Sequence, residues 1–189
     1  MPLIYTFLLA AIILSSCNAP DTVKVAPSLT GGKYLASEAM DTGKPDTGIQ
    51  VGATTPAELI TFARTLKGVP YKYGSTDPAQ GFDCSGFITY VFNHFKIVVP
   101  RTSAGFTNIR REVPLRNAQP GDLILFTGTD STKREVGHMG ILVTKATEGP
   151  VFIHSTSGKA NGVTETPLNS YYQGRFVKTI RIFGSNDEH

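Results

Sequence analysis

The order of apolar patterns along the chain is the feature that most restricts its fold. Before Pro120, apolar residues recur at helical spacing, as in Leu59, Phe62, Ala63 and Leu66. After Pro120 they come in short runs bounded by turn residues, a pattern typical of strands. Helices followed by strands predict an α+β fold, in which an antiparallel sheet carries its helices on one side.

Two helices have recognisable start signals. The segment 55–58, Thr-Pro-Ala-Glu, is a capping box with proline at the first helical position, and Gly68 is a natural stop. Asp83 is a typical N-cap, so a second helix is predicted to begin at or near Cys84.

Four short strands are predicted after these helices. Their apolar runs lie at 123–126, 139–143, 151–154 and 176–182, while the Gly-, Pro- and Asp-rich residues 71–81 are predicted to form a loop.

The N-terminus carries a short apolar run at residues 3–14, which ends in Leu14-Ser15-Ser16-Cys17. A membrane-spanning helix needs about 20 apolar residues, so this run fits the apolar core of a secretory signal instead. Its end resembles a bacterial lipobox, although no Lys or Arg precedes the run. We predict a signal peptide at 1–16 and lipidation of Cys17; an N-terminal core element with a chance cysteine is the alternative.

The remaining chain divides by composition. Residues 17–53 are rich in Pro, Gly and small polar residues and are predicted to form a flexible tether; an ordered extension packed on the domain is the alternative. A catalytic domain is predicted at 54–184 and a disordered tail at 185–189. This organisation predicts a monomer held by its lipid at the periplasmic face of a bacterial membrane, in the cell envelope.

Net charge excludes one class of partner. The formal charge is +3, and no dense Lys/Arg tract with interleaved aromatic residues is present, so nucleic-acid binding is not predicted.

Cys84 is the first candidate catalytic residue. The chain has two cysteines, so lipidation of Cys17 would leave Cys84 unpaired in an oxidising compartment, where a free thiol needs burial or a function. A helix start favours the thiolate, and the Cys84 N–H could bind an oxyanion. The alternative is a small buried apolar residue.

His138 and His154 complete a possible catalytic set. His138 is predicted at the edge of a strand beside a polar loop, a suitable place for a general base. His154 shares a strand face with Phe152 and is predicted to hydrogen-bond His138 and orient its ring. Cys, His and His could also hold zinc, but the short ligand spacing of structural zinc sites is absent, so no metal is predicted.

Five blocks then occur in order: GVPYKYG at 68–74, DCSGF at 83–87, PRTS at 100–103, PGDL at 120–123 and GHMGI at 137–141. Together they resemble the NlpC-type (NlpC and P60) cell-wall cysteine peptidases, with the resemblance running from about residue 56 to about residue 182 and the lipobox pointing to a lipoprotein member.

The resemblance implies a papain-like core, with the nucleophile at the start of a central helix packed on an antiparallel sheet. It implies hydrolysis of amide bonds in peptidoglycan stem peptides, usually between D-glutamate and a diamino acid, without a cofactor. Cys84 would be the nucleophile, His138 the general base and acid, and His154 the third residue of the triad.

Four further residues are implied at the site. Tyr71 matches a tyrosine near the nucleophile that helps the oxyanion hole, whereas Asp83, Ser85 and Arg101 match positions expected to contact substrate. The alternative for Tyr71 is a core or lid aromatic residue, and the alternative for Arg101 is a structural ion pair or a solvated charge.

Two positions depart from the family pattern: Phe106 replaces a frequent glutamine and Ser75 replaces a glycine, and both are expected to alter substrate contacts at the cleft wall. Other readings stay open at this level, namely an amidase or acyltransferase with another substrate, a non-catalytic wall-binding lipoprotein, or a structural envelope lipoprotein.

Overall fold

The structure is a computed structural model that describes residues 49–130 and 132–184. Its strands, in chain order, are β1 (Thr76–Asp77), β2 (Gly81–Phe82), β3 (Glu112–Val113), β4 (Leu123–Thr127), β5 (Val136–Leu142), β6 (Val151–Thr156), β7 (Gly162–Pro167) and β8 (Phe176–Ile180). Its α-helices are α1 (Pro56–Thr65), α2 (Cys84–His94) and α3 (Ser170–Arg175). Short 3₁₀ helices lie at Ser103–Asn108, Leu115–Asn117 and Ala146–Glu148.

Six of the strands form one antiparallel sheet in the order β3-β8-β4-β5-β6-β7, and β1 pairs with β2 in a separate ribbon. The α+β class with an antiparallel sheet is therefore confirmed, but the helices are not all on one side, because α3 packs on the opposite face of the sheet from α2. The four predicted strands correspond to β4, β5, β6 and β8.

Local capping starts both long helices, as predicted. At α1 the Thr55 hydroxyl accepts a hydrogen bond from the Glu58 N–H at 3.3 Å, while the Thr55 N–H donates to the Glu58 carboxylate at 2.9 Å. At α2 the Asp83 carboxylate accepts a hydrogen bond from the Gly86 N–H. These bonds satisfy N–H groups that the first turn of a helix leaves without an intrahelical partner.

The sheet is apolar on both faces. Leu123 and Leu125 of β4 belong to the core shared with α2, whereas Ile124 and Phe126 belong to a second core shared with Tyr172 of α3. A strand buried on both faces needs apolar residues at every position, which explains its uninterrupted apolar run. The first core fixes α2 against β5 and β6, and hence positions Cys84.

The structure corrects the sequence prediction in three places. β5 begins at Val136, so His138 lies inside the strand, and the predicted loop 71–81 contains β1 and the start of β2. β7 and α3 were not predicted, because β7 is an edge strand of mixed polarity ending at Pro167 and α3 is a short polar segment containing a glycine. Both added elements contribute to the cavity beside Cys84.

The start of the packed domain also differs from the prediction. Ile49 and Val51, which fall in the predicted tether, are buried in the first core. The predicted signal peptide, Cys17, most of the tether, and the C-terminal tail lie outside the described residues. Within residues 49–130 and 132–184, no helix is long and apolar enough to cross a membrane.

Candidate active site

Cys84 opens α2 at the wall of a cavity of about 980 Å³. Its Sγ lies 3.8 Å from the carbonyl oxygen of Gly137, the residue before His138. The cavity brings together residues from several elements: Tyr71, Cys84, Gly128, Thr129, Gly137, His138, Thr156, Ser157, Gly158, Lys159, Ala160, Thr164, Thr166, Asn169, Tyr171, Tyr172 and Arg175. Cys84 and His138 thus line the same space although 53 residues separate Cys84 from Gly137.

The two predicted histidines are hydrogen-bonded to each other. Nε2 of His138 lies 2.8 Å from Nδ1 of His154, and Nε2 of His154 lies 2.9 Å from the hydroxyl oxygen of Thr166. This three-residue chain occupies both nitrogens of His154 and one nitrogen of His138. Nδ1 of His138 is the nitrogen that remains for the thiol.

The sheet sets the geometry of this chain. His138 lies opposite Phe126 in the β4–β5 register, and His154 lies opposite Thr164 in the β6–β7 register. The Tyr172 ring lies 6.0 Å from the His138 ring and 5.5 Å from the His154 ring, which fixes both imidazoles on one face. Because alternate strand residues share a face, His154 also contacts Phe152, as predicted.

Both imidazoles are held neutral by their surroundings. Burial lowers the pKa of His138 well below 6.5, and the nearby His154 and Arg175 lower it further. Burial and Arg175 lower the pKa of His154 to about 3. A buried imidazolium would lack solvation, so the neutral ring is the stable form.

These shifts predict that the free energy of unfolding falls as the pH decreases from 6.5 toward 3. The unfolded chain binds protons in that range while the folded pair does not, and each pKa unit of difference corresponds to about 1.4 kcal/mol. Urea unfolding at several pH values measures the slope, which should be shallower in His154→Gln. His94→Gln, at an exposed histidine, is the matched control. Equal slopes for the wild type and both variants would contradict this account.

The pKa of the Cys84 thiol is shifted in the direction opposite to the predicted one. Burial raises its pKa above the usual 9.0, and the adjacent Asp83 carboxylate raises it further. The N–H groups of Ser85 and Cys84 and the Arg101 guanidinium act in the opposite direction but are smaller. The helix start alone therefore does not favour a thiolate at Cys84, because it does not compensate for lost solvation.

Tyr71 lies at the cavity wall with Cys84, and its backbone N–H donates to the Asn161 carbonyl at 3.0 Å. Burial raises the pKa of its phenol, with Cys84 and Asp83 adding to the shift. A neutral phenol keeps its O–H and can donate a hydrogen bond to an oxyanion.

Asp83, Ser85 and Arg101 are not among the residues that line the cavity. Arg101 Nη2 lies 3.0 Å from the Asp83 carboxylate, Arg101 Nη1 donates to the Ser85 hydroxyl at 3.0 Å, and Nη2 donates to the Gly74 carbonyl at 2.9 Å. The three side chains therefore bond to one another, and their contacts with substrate stay a prediction. The role of this cluster in the structure is to fasten the loop at Gly74 to the start of α2.

The two departures from the family pattern also lie away from the cavity lining. Phe106 is fully buried in the first core. The Ser75 carbonyl accepts a hydrogen bond from the Asp83 N–H at 3.1 Å, and its hydroxyl accepts one from the Asp77 N–H at 3.2 Å. Phe106 thus serves core packing and Ser75 serves loop structure, and their effect on substrate contacts stays a prediction.

The cavity residues that sequence reasoning missed include Thr166, Tyr172 and Arg175. Thr166 is in β7 and the other two are in α3. The Asn169 cap, whose side chain accepts from the Tyr172 N–H at 3.2 Å, is a local signal that could have revealed α3. In the part of the chain that the structure describes, no group of three or more His, Cys, Asp or Glu is placed to hold a metal ion.

The fold and the site define a papain-like α+β domain, with a cysteine at the start of a buried helix and a histidine pair on the neighbouring strands. The chain belongs to the NlpC/P60 family, whose sequence model matches residues 68–181.

Three comparisons describe its similarity to known proteins. A gamma-DL-glutamyl hydrolase of Bacillus subtilis is 35% identical over 131 residues, covering 69% of this chain and 31% of that protein. The murein DD-endopeptidase/murein LD-carboxypeptidase MepS of Escherichia coli is 25% identical over 175 residues, covering 91% of this chain and 87% of that protein. A crystal structure of an NlpC/P60 family protein from Bacillus cereus superimposes with a TM-score of 0.61 at 28% identity, covering 70% of this chain and 41% of that one. The chain thus spans about a third of the length of the Bacillus subtilis relative.

Proposed function

We propose that this protein is a cysteine peptidase that hydrolyses amide bonds in peptidoglycan stem peptides, between D-glutamate and a diamino acid. The observation that carries the proposal is the placement of Cys84 and His138 on one cavity, with His138 hydrogen-bonded to the buried His154. Membership of the NlpC/P60 family and the glutamyl hydrolase activity in the name of the Bacillus relative support the substrate class.

The first step is attack of Cys84 on the scissile carbonyl. The Sγ–H proton passes to Nδ1 of His138 as the bond from Sγ to carbon forms, and the carbonyl electrons move to oxygen. The Cys84 N–H and the Tyr71 hydroxyl stabilise that oxyanion. The raised thiol pKa and the lowered His138 pKa favour the neutral pair at rest, so the thiolate forms during attack rather than before it.

The second step releases the amine. The C–N bond breaks as protonated His138 gives its proton to the departing nitrogen, which leaves a thioester on Cys84. Water then attacks the thioester while His138 accepts its proton, and the proton returns to Sγ when the C–S bond breaks. The enzyme is regenerated with a neutral thiol and a neutral imidazole.

Thr166 extends the predicted triad, because its hydrogen bond to His154 fixes the tautomers of His154 and His138. His138 can accept a proton at Nδ1 only if its own proton is on Nε2, where it donates to Nδ1 of His154. The His154 proton is then on Nε2 and donates to the Thr166 hydroxyl, as the two distances allow. Thr166 is accordingly a positioning residue, because it acts through His154.

Digestion of purified peptidoglycan by the full chain tests the proposal. Mass spectrometry should detect new fragments whose ends identify cleavage after D-glutamate, and the Cys84→Ala protein should release none. A reactive Cys84 without any release from intact wall or free stem peptides would instead favour another amide or acyl substrate. An unreactive Cys84 without release would favour a wall-binding module.

A second specificity has one observation in its favour. The similarity to MepS extends over most of both chains, and that protein is named a DD-endopeptidase and LD-carboxypeptidase. Cleavage of a cross-link would release fragments ending in D-alanine, so the same mass spectra distinguish this candidate from the D-glutamyl endopeptidase.

We further propose that Cys17 carries the lipid that holds the enzyme in the cell envelope, which would place the domain beside its substrate. The mass of the N-terminal peptide from envelope-purified protein tests this, because a chain that still begins at Met1 or carries an unmodified Cys17 would contradict it.

A further inference from the structure

Arg175 is a buried cation at the wall of the catalytic cavity. It ends α3 and is 7% exposed. Its Nη2 donates to the Thr127 carbonyl at 2.8 Å and its Nη1 donates to the Tyr171 hydroxyl at 2.6 Å. Its Nε is buried and has no hydrogen-bond partner, and no carboxylate among the described residues forms an ion pair with Arg175.

The charged residues of the cavity lining are of one sign. Arg175 and Lys159 belong to the lining, whereas no Asp or Glu does within residues 49–130 and 132–184. A desolvated guanidinium is costly unless an anion and hydrogen-bond acceptors compensate it, and carbonyl and phenol oxygens supply acceptors but no negative charge. The cavity is therefore complementary to an anionic ligand.

Arg175 also lies close enough to influence the reacting groups. Burial is the main cause of the lowered pKa of both His138 and His154, and the Arg175 charge contributes to each. The guanidinium is stacked near Tyr171 and Tyr172, with its central carbon 4.9 Å and 5.7 Å from the two ring centroids. These rings restrict the guanidinium, which belongs to the cavity lining.

We propose that Arg175 binds a carboxylate of the substrate beside the scissile amide, and that the enzyme thereby selects peptides with a free carboxylate at that position. The inference rests on the proposed peptidase function and names one residue behind its specificity. A γ-linked glutamyl residue is such a substrate, because its α-carboxylate stays free next to the cleaved bond. A guanidinium suits this task because its planar donors match the two carboxylate oxygens.

A purely structural role for Arg175 is the competing explanation. In that case the hydrogen bonds of Arg175 to Thr127 and Tyr171 would stabilise the packing of α3 against β4, whatever the charge of the ligand. Only a carboxylate-binding role predicts discrimination between two molecules that differ solely in a carboxylate and a carboxamide.

Iodoacetate and iodoacetamide form such a pair, and both alkylate cysteine. The rates at which the two reagents alkylate Cys84 in the full chain are measured by mass spectrometry of the Cys84 peptide. The ratio of the iodoacetate rate to the iodoacetamide rate is then compared with the same ratio for free cysteine. Because a hydrogen bond to a charged group changes an equilibrium by roughly tenfold or more, we expect the ratio of iodoacetate to iodoacetamide to exceed the free-cysteine ratio by about tenfold. In Arg175→Gln the ratio should fall most of the way to the free-cysteine value.

Arg134→Gln is the matched control. Arg134 is exposed, contacts the Gly174 and Phe176 carbonyls at the end of α3, and is absent from the cavity lining. Its replacement should leave the wild-type ratio unchanged. A wild-type ratio equal to that of free cysteine, or an elevated ratio that persists in folded Arg175→Gln, would overturn the proposal.

Cleavage of two peptides by the wild type provides a measurement that does not depend on whether the variant folds. One carries γ-D-glutamate with its free carboxylate and the other its carboxamide. A preference of about tenfold or more in kcat/KM for the carboxylate supports the proposal, whereas equal rates overturn it and leave the peptidase function intact. Cleavage of neither peptide would overturn the D-glutamyl specificity, while the alkylation ratio would still decide whether Arg175 binds a carboxylate.

Discussion

Replacement of Cys84 by alanine is expected to reduce peptidoglycan hydrolysis by at least about 10³-fold, because the reaction then lacks the atom that forms the thioester. Fold and stability should change little. Cys84 lies at the start of α2 and is partly exposed at the cavity, and the bond that caps the helix comes from Asp83. The initial rate of fragment release and the urea midpoint, measured on the same preparations, separate the two effects.

Cys84→Ser is the matched control for this prediction. It keeps a polar atom close to the position of Sγ, and its hydroxyl is a much weaker nucleophile beside a histidine of lowered pKa. Both variants should therefore be inactive yet folded. Activity above about one hundredth of the wild-type rate in folded Cys84→Ala would eliminate the thioester mechanism, because water attack would then have to carry the reaction.

Gly86→Ala is expected to lower the free energy of unfolding by about 2 kcal/mol or more. A β-carbon at position 86 would lie 2.0 Å from the Ser75 carbonyl oxygen and 2.9 Å from a carboxylate oxygen of Asp83. The Ser75 carbonyl cannot easily retreat, because it accepts a hydrogen bond from the Asp83 N–H. The higher helix propensity of alanine, worth about 1 kcal/mol, offsets only part of this strain.

Gly174→Ala is the matched control, because it makes the same change inside α3 where an added β-carbon has no neighbour within 4 Å. Its expected effect is neutral to about 1 kcal/mol stabilising. Urea unfolding of both variants tests the comparison. If Gly86→Ala were as stable as the wild type, the close approach of the Ser75 loop to α2 would not be needed for folding.

The cluster of Asp83, Ser85 and Arg101 links these two predictions. The same Asp83 carboxylate caps α2, raises the pKa of the Cys84 thiol and binds Arg101. The ion pair limits the negative charge beside the nucleophile, since Arg101 lowers the thiol pKa that Asp83 raises. The cluster thus supports the start of the catalytic helix without contacting the cavity.

The sequence alone determined the parts of this protein that depend on short-range interactions. The caps at Thr55 and Asp83 bond groups within three residues, so their patterns predict where α1 and α2 begin. The uninterrupted apolar run of β4 and the two-residue spacing of Phe152 and His154 likewise predict burial and a shared face. The residue types and order of the five sequence blocks were sufficient to predict the family and the candidate residues Cys84 and His138, whereas His154 was predicted from its place in the apolar run 151–154.

Tertiary structure determined the contacts and the pKa shifts of those residues. The edge strand β7 brings Thr166 to His154, and α3 brings Tyr172 and Arg175 to the histidine pair, through contacts that no local pattern specifies. Burial opposes the predicted lowering of the Cys84 pKa, and long-range contacts join Arg101 to Asp83 and Ser85. The physical reason is that capping and periodicity involve residues close together in the sequence. The desolvation and electrostatic contributions to a pKa depend on every atom that the fold brings near the site.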